Sequence, residues 1–289
     1  MEPTYTLAGI MGWPVRYSRS PVIHGHWIHE HGLKGDYVLL PVQAAHLPDA
    51  LRGLKAMGFA GCNLTIPHKV AALALLDRVD PLAARIGAVN TLVVKDGALV
   101  GYNTDAEGYI QSLRVACPGW RADAGPTSGP VAVLGAGGAA RAVLAVLGDQ
   151  GAPEIRICNR SLDKAQALAA EFGAHYPGTR WRALPWDQRH ATLEGCAQLV
   201  NTTSLGMTGQ DALDLRLDAL PPTALVCDVI YTPLETPLLA AARQRPGGQH
   251  VTVNGLGMLL YQARAAFQHW FGILPEVTPA LRRAVEATF

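Results

Sequence analysis

Several short stretches carry residues whose types and spacing could do chemistry. Ser18 and Ser20 stand two residues apart just before Pro21. Pro21 suits the first turn of a helix, and Ser20 before it suits an N-cap. Ser18 has no such structural explanation, and two hydroxyls at a helix start could hold a carboxylate. Lys69 ends the run Asn63-Leu64-Thr65-Ile66-Pro67-His68-Lys69. Gly61–Ile66 reads as a strand whose alternation turns Asn63, Thr65 and Pro67 to one side. Pro67 then opens a helix reaching Leu76, with Lys69 in a first turn where a cation opposes the helix dipole. Lys69 is therefore either a solvated surface lysine or a cation held above the strand's C-terminal end, where ligands of open α/β sheets bind. Asn90 and Thr91 are polar inside the apolar run Gly87–Val94 and need partners if buried. Asp105, which ends Asn103-Thr104-Asp105, could be no more than a helix-start acid.

A second kind of chemistry is legible in Val131–Leu147, VAVLGAGGAARAVLAVL. Val131–Leu134 reads as a buried strand. Glycines follow at 135, 137 and 138, and then Ala140, Val143, Leu144 and Leu147 recur at helical spacing. Gly135 allows a tight turn, Gly137 lets a pyrophosphate approach the backbone, and Ala140 keeps the helix close to the sheet. The free N–H groups of the helix start then face the phosphates. A second strand, Ile155–Cys158, arrives at the interval a dinucleotide-binding unit requires. An NAD site would carry an acid after that strand to hold the ribose hydroxyl. Here the place holds Asn159-Arg160-Ser161, with Lys164 one turn on. Two cations attract a 2′-phosphate, and Arg160 can also stack on adenine. The cofactor expected is NADP.

The elements that must position these residues alternate along the chain. Strands are expected at Thr4–Ile10, Tyr37–Val42, Gly61–Ile66 and Gly87–Val94, with Gly97–Val100 as a hairpin return. Helices are expected at Pro21–His31, His46–Met57, Pro67–Leu76 and Ala106–Ala116. The Pro/Gly/Ser-rich stretch Pro118–Pro130 is the best linker. From Val131 onward strand and helix repeat through Ile155–Cys158, Leu162–Phe172, Arg180–Leu184, Leu199–Asn201, Ala224–Asp228, Thr236–Arg245 and Val251–Asn254. That pattern means a parallel sheet covered by helices. Leu256–Phe271, which contains Gln262, and Thr278–Phe289 read as closing helices. Asn201-Thr202-Thr203-Ser204-Leu205-Gly206-Met207 is a polar turn after a strand. It is no nucleophile elbow, because Thr202 stands where that motif needs glycine.

The 289 residues are ample for two domains, and a net charge of +1 leaves no basic footprint for nucleic acid. The N-terminus lacks the basic and apolar regions of a signal peptide, and no apolar run is long enough to span a bilayer. The five scattered cysteines read as reduced thiols of a cytoplasmic protein. His24, His26, His29 and His31 lack the companions of a zinc motif and read as surface and packing residues of one helix. No metal site is expected.

Taken together, these stretches resemble the shikimate/quinate dehydrogenase family. The resemblance rests on Ser18-Arg19-Ser20-Pro21, Asn63–Lys69, Gly87–Thr91, Asn103-Thr104-Asp105, Gly135–Arg141, Asn159-Arg160-Ser161, Asn201–Met207 and Gly255–Leu259. It implies an α/β chain of two domains. Residues 1–105 with about 256–289 would form a discontinuous substrate-binding domain with a mostly parallel sheet, and 106–255 a Rossmann-like NADP-binding domain. The resemblance further implies that Ser18 and Ser20 bind a substrate carboxylate. Thr65, Asn90, Asp105 and Gln262 would bind ring hydroxyls, Tyr231 would lie near the substrate, and Lys69 would be catalytic with Asp105. Cofactor contacts would fall at Gly135, Ala136, Gly137, Gly138, Ala139, Asn159, Arg160, Ser161, Lys164, Thr203, Gly255 and Met258. Departures from the family pattern are Tyr17 for histidine, Ser161 for threonine, Lys164 for arginine and Ala106 for glycine.

The reaction so implied is reduction of 3-dehydroshikimate with NADPH by a monomer or homodimer. An alkoxide develops on the ketone oxygen and needs a donor placed where charge appears. Lys69 is the available cation, and Asp105 can orient it. Three other readings remain. A broader quinate/shikimate enzyme using NAD would favour an acid after the second strand. A non-catalytic NADP-binding regulator could dispense with Lys69 and Asp105. A Schiff-base lysine would not need the dinucleotide site.

Overall fold

The structure, a computed structural model, describes residues 5–124 and 128–289. Thr4 of the expected first strand and Gly125-Pro126-Thr127 of the expected linker lie outside the described residues. The chain divides into two compact units, one comprising Met1–Gly108 with Leu260–Phe289 and the other Tyr109–Leu259.

The first unit begins β1 (Thr6–Gly12), α1 (Ser20–Glu30), β2 (Gly35–Pro41), α2 (Leu47–Ala56) and β3 (Gly61–Leu64). It continues α3 (His68–Ala71), β4 (Arg78–Val79), α4 (Pro81–Ile86), β5 (Thr91–Lys95), β6 (Ala98–Tyr102) and α5 (Asp105–Ala116). Its sheet has the order β2-β1-β3-β5-β6-β4. β1 runs parallel to β2 and β3, β5 is antiparallel to β3 and β6, and β4 is parallel to β6. Helix α2 shows why the layers adhere. Leu47, Leu51 and Leu54 recur on one face and are buried with Met11, Cys62, Leu64, Leu92 and Leu99. Asp49 in its first turn and Lys55 in its last both suit the helix dipole.

Three expected boundaries are corrected. Ser20 is the first residue of α1 rather than its cap; Arg19 caps it, without a side-chain bond. The helix expected from Pro67 to Leu76 is a single α turn, His68–Ala71, followed by a 3-10 turn, Ala72–Leu75. A one-turn helix has little macrodipole, so the dipole argument about Lys69 does not hold. Gly87 begins no strand. It ends α4 in the left-handed conformation that favours glycine, after an Asp80 cap whose Oδ1 accepts the Leu82 N–H at 2.9 Å.

The second unit contains β7 (Val131–Leu134), α6 (Gly138–Asp149), β8 (Glu154–Asn159), α7 (Leu162–His175), β9 (Arg180–Pro185) and β10 (Gln198–Asn201). It closes with β11 (Leu225–Asp228), α8 (Pro237–Gln244), β12 (Thr252–Val253) and the start of α9 (Gly255–Phe271). The division between units falls inside α5 and inside α9. A last helix, α10 (Pro279–Glu286), belongs to the first unit. The second sheet is parallel throughout in the order β12-β11-β10-β7-β8-β9. That is the doubly wound dinucleotide-binding order, with its switch point between β7 and β10. Strands β7, β10 and β11 are buried along their whole length, as a sheet covered on both faces requires.

Among the described residues no helix is long and apolar enough to cross a membrane, and no His/Cys/Asp/Glu group could hold a metal ion. Cys62, Cys117, Cys158, Cys196 and Cys227 are all free thiols.

Candidate active site

Topology brings the first set of residues to one end of the first sheet. β1 and β3 are parallel, so the segments that follow them leave from the same edge. β5 runs the other way, with Asn63 opposite Thr91, so Asn90 enters the sheet at that edge. β6 reverses again, with Thr91 opposite Tyr102, and Asn103-Thr104-Asp105 emerges there too.

Lys69 and Asp105 meet directly, with Nζ 2.5 Å from Oδ2. The lysine side chain is 19% exposed and the aspartate 6%. Asn90 Nδ2 lies 2.8 Å from the other oxygen, Asp105 Oδ1, and 3.3 Å from Gln262 Oε1 of α9. The Thr104 backbone N–H donates to Asn90 Oδ1 at 2.7 Å. Asn103 Oδ1 accepts the Asp105 N–H at 3.0 Å and so caps α5 with Asp105 inside its first turn. Both oxygens of Asp105 thus have donors, and the lysine is held by a fixed carboxylate.

The other expected residues vary in how closely they join this cluster. Thr65 is half-buried, and it lies beyond the last residue of β3, so the strand alternation that predicted its direction stops at Leu64. It packs against Gly12, where an added Cβ would fall 2.3 Å from Thr65 Cγ2. Ser18 does have a structural duty: its Oγ accepts the Ser20 N–H at 3.2 Å. Ser20 is buried. Tyr37 donates to Asn63 Oδ1 at 2.6 Å, and Asn63 Nδ2 donates to the Asn90 carbonyl at 3.0 Å. Asn63 was visible in the sequence only as a polar residue within a strand; here it braces Asn90. Tyr231 belongs to the second unit, half-buried in the loop after β11.

The second set lies at the switch point of the parallel sheet. Gly135 follows β7 with φ +107°, and a Cβ there would lie 2.6 Å from Thr202 Oγ1, so only glycine fits. Ala136 and Ala139 are half-buried. Gly137 is exposed at the N-cap of α6, and an added Cβ there would meet nothing within 4 Å. Gly138 opens the helix, and no side chain caps its first N–H groups. That is room and polarity for a phosphate. Asn159 ends β8 and donates to the Ser161 carbonyl at 2.9 Å. Arg160, Ser161 and Lys164 are exposed at the start of α7. Among the described residues Arg160 and Lys164 enter no ion pair, whereas Arg141 and Arg156 are engaged by Glu171 and Glu154. This donor set fits a dinucleotide bearing a 2′-phosphate.

Thr203 lies in the turn after β10, and Gly255 and Met258 in the first turn of α9. The Thr203 hydroxyl donates to Asn201 Oδ1 at 2.7 Å. A Cβ on Gly255 would fall 2.0 Å from the Val229 carbonyl oxygen. Met258 and Gly255 share a small cavity wall with Tyr109, Cys227 and Asp228. Asp228 is a polar centre that sequence reasoning passed over. Its Oδ1 accepts from Asn201 Nδ2 and the Ile230 N–H, each at 3.1 Å, and its Oδ2 from the Thr236 hydroxyl at 2.8 Å. Burial raises its carboxyl to about 6 against these donors. An aspartate closing an otherwise apolar buried strand was the signal available.

Family comparison bears on both sets. The shikimate dehydrogenase substrate binding domain matches residues 10–92. The shikimate / quinate 5-dehydrogenase description matches residues 125–190, and the shikimate 5′-dehydrogenase C-terminal domain residues 255–286. The chain is 55% identical over 280 residues to the shikimate dehydrogenase (NADP(+)) of Paramagnetospirillum magneticum, covering 96% of this chain and 97% of that one. The chain belongs to the shikimate dehydrogenase family. A solved family structure, shikimate 5-dehydrogenase from Thermus thermophilus in complex with NADP(H) and shikimate, superposes with a TM-score of 0.83 at 35% identity, covering 98% of this chain and 100% of that one. Quinate dehydrogenase from Corynebacterium glutamicum in complex with NAD superposes with a TM-score of 0.87 at 28% identity, covering 98% and 100%. The α/β architecture is thus that of the family.

Proposed function

We propose that this chain is an NADP-dependent shikimate dehydrogenase, an oxidoreductase that reversibly reduces 3-dehydroshikimate to shikimate in chorismate and aromatic amino-acid biosynthesis. The observation that carries the reading is the pairing of half-buried Lys69 with buried Asp105, braced by Asn90 and Gln262. A non-catalytic regulator on this fold has no use for a lysine so held.

Residues 1–105 with about 256–289 serve as the substrate domain and 106–255 as the NADP domain. Ser18 and Ser20 bind the substrate carboxylate. Thr65, Asn90, Asp105 and Gln262 bind its hydroxyls, with Tyr231 nearby. The turn Gly135–Ala139 receives the pyrophosphate. Asn159, Arg160, Ser161 and Lys164 take the adenosine 2′-phosphate end, and Thr203, Gly255 and Met258 the remainder. The enzyme works in the cytoplasm as a monomer or homodimer.

Bound NADPH supplies the hydride. As the ketone carbon accepts it, negative charge grows on the oxygen, and the Lys69 ammonium donates a hydrogen bond and then a proton to that oxygen. Asp105 keeps Nζ in place through the step, so no reorganisation is needed when the charge appears. In oxidation the proton of the shikimate hydroxyl returns to Nζ. Asn90 holds the second oxygen of Asp105, which leaves the carboxylate one orientation toward the lysine.

The test is an initial-rate assay by the near-ultraviolet absorbance of reduced nicotinamide, with shikimate or quinate against NADP+ or NAD+. Shikimate with NADP+ should give the highest kcat/KM. Quinate with NAD+ as the best pair, or no turnover of either acid, would overturn the reading.

A further inference from the structure

We propose that Asp228 is a positioning residue that locks together three segments of the second unit: the turn carrying Thr203, the loop carrying Tyr231 and the start of α9 at Gly255. The proposal rests on the reading of Thr203, Tyr231 and Gly255 given above.

The connections run through two bonds at one carboxylate oxygen. Asn201 Nδ2 donates to Asp228 Oδ1, while Asn201 Oδ1 accepts both the N–H of Thr203, at 3.1 Å, and its hydroxyl, at 2.7 Å. Asn201 Nδ2 also lies 3.2 Å from the Leu205 carbonyl, so one amide closes the turn and reaches the aspartate. The Ile230 N–H donates to the same Oδ1, and the Ile230 carbonyl accepts the Gly255 N–H at 2.8 Å. Ile230 directly precedes Tyr231. Oδ2 takes the Thr236 hydroxyl, whose oxygen caps α8 by accepting the Leu239 N–H. The far end of the Tyr231 loop is thereby fixed as well.

The packing leaves no alternative seat for these segments. Gly255 sits so close to Val229 and Ile230 that an added Cβ would overlap their backbone. Asn201 and Asp228 are opposite one another in the parallel register of β10 and β11, and both are buried. A core position of this kind would ordinarily hold an aliphatic side chain, since a buried carboxylate is costly unless donors converge on it. Three donors do converge, and each belongs to a segment that ends in a residue expected to touch ligand or in a helix cap. The lock joins the ends of β10 and β11, the two loops that leave them and the first residue of α9.

Asp228→Ala, Asp228→Asn and Asn201→Ala test this in the full chain. The readouts are hydrogen–deuterium exchange of the 201–205, 229–231 and 254–257 backbone, NADP+ binding measured by titration, and kcat and KM for shikimate. Asp228→Ala should speed exchange in all three segments and weaken NADP+ binding about tenfold or more, as loss of bonds to a charged group predicts. NADP+ affinity should fall far more than kcat with shikimate. Asp228→Asn can keep Oδ1 toward Asn201 and Ile230 and turn its amide to the Thr236 oxygen, so it should recover most of the affinity. Asn201→Ala should loosen only the Thr203 turn. A folded Asp228→Ala protein with unchanged exchange and unchanged NADP+ affinity overturns the lock. So does one that merely loses thermal stability while binding NADP+ as before. If Asp228→Ala does not fold, an Asn201→Ala protein with normal exchange at 201–205 and normal NADP+ affinity overturns it instead. Failure of wild-type turnover with shikimate would count against the proposed function alone, because exchange still reports on the lock.

Discussion

Lys69 reaches across 36 positions of sequence to place its Nζ 2.5 Å from Asp105 Oδ2, while Asn90 holds the other oxygen of the same carboxylate. This geometry makes a directional prediction about Asp105. In Asp105→Asn the remaining oxygen can stay with Asn90, which turns the new amide toward the lysine and sets donor against donor. Turnover should fall by about 10²-fold or more, because Lys69 loses the group that orients it. The double variant Lys69→Ala/Asp105→Asn should be little worse than the poorer single variant, since groups acting as a unit are not additive. Additive losses in a steady-state cycle would show that the two act separately.

Arg160 and Lys164 give the cofactor prediction. Both are exposed beside the uncapped start of α7, and neither is in an ion pair among the described residues. NADP+ should bind more tightly than NAD+, with the difference shrinking as salt rises, because exposed charges are screened. Arg160→Ala should weaken NADP+ far more than NAD+. Equal losses for the two cofactors, measured by titration at two salt concentrations, would remove Arg160 from the 2′-phosphate.

The serine prediction must separate binding from structure. Ser18 Oγ uses a lone pair on the Ser20 N–H and keeps its proton for a ligand. Ser18→Ala should therefore raise the shikimate KM by the about 1.5–3 kcal/mol of a hydrogen bond to a charged group. Ser20 is buried at the first position of α1, so Ser20→Ala should raise KM and lower Tm together. An analogue lacking the carboxylate should be indifferent to Ser18→Ala. If it suffers the same loss, the serine only supports the loop.

Stability in acid depends on His24. It is wholly buried and stacked 4.0 Å from the Tyr37 ring, and among the described residues neither ring nitrogen has a hydrogen-bond partner. Burial lowers it to about 3 from 6.5, so the unfolded chain binds its proton first. The stability from keeping it neutral is complete above pH 6.5 and is lost toward pH 3, at about 1.4 kcal/mol per pH unit. Asp228 has the opposite sign. Its carboxyl is raised from 3.8 to about 6, so its penalty is full above that value and is relieved as pH falls to 3.8. The two trends offset each other in wild type over that shared range. The difference between wild type and His24→Phe in urea unfolding should therefore isolate His24, with the wild type losing stability relative to the variant as pH falls below 6.5. Parallel curves would contradict it.

Much of this site was legible because its chemistry is local in sequence. The turn Gly135–Gly138 lies between a buried strand and a helix, and the parallel pairing of the second sheet follows from strand–helix alternation. Lys69 was harder. Its supposed helix is one turn long, and what fixes it is Asp105, a contact no periodicity announces. Gly87 read as part of a strand because apolar residues follow it, although the Asp80-Pro81 cap and the left-handed glycine bound a short helix. Asp228, Asn201 and Ile230 meet only through strand register and a loop's return, which composition does not encode.

The most direct measurement is single-turnover reduction of 3-dehydroshikimate by NADPH in wild type and Lys69→Ala. If Lys69 serves the developing alkoxide, the variant's hydride-transfer step should slow by about 10²–10⁴-fold. Shikimate affinity should change much less, because the interaction strengthens in the transition state. A Lys69→Ala protein that transfers hydride at near wild-type rate would leave the Lys69–Asp105 pair a structural ion pair only and contradict the account.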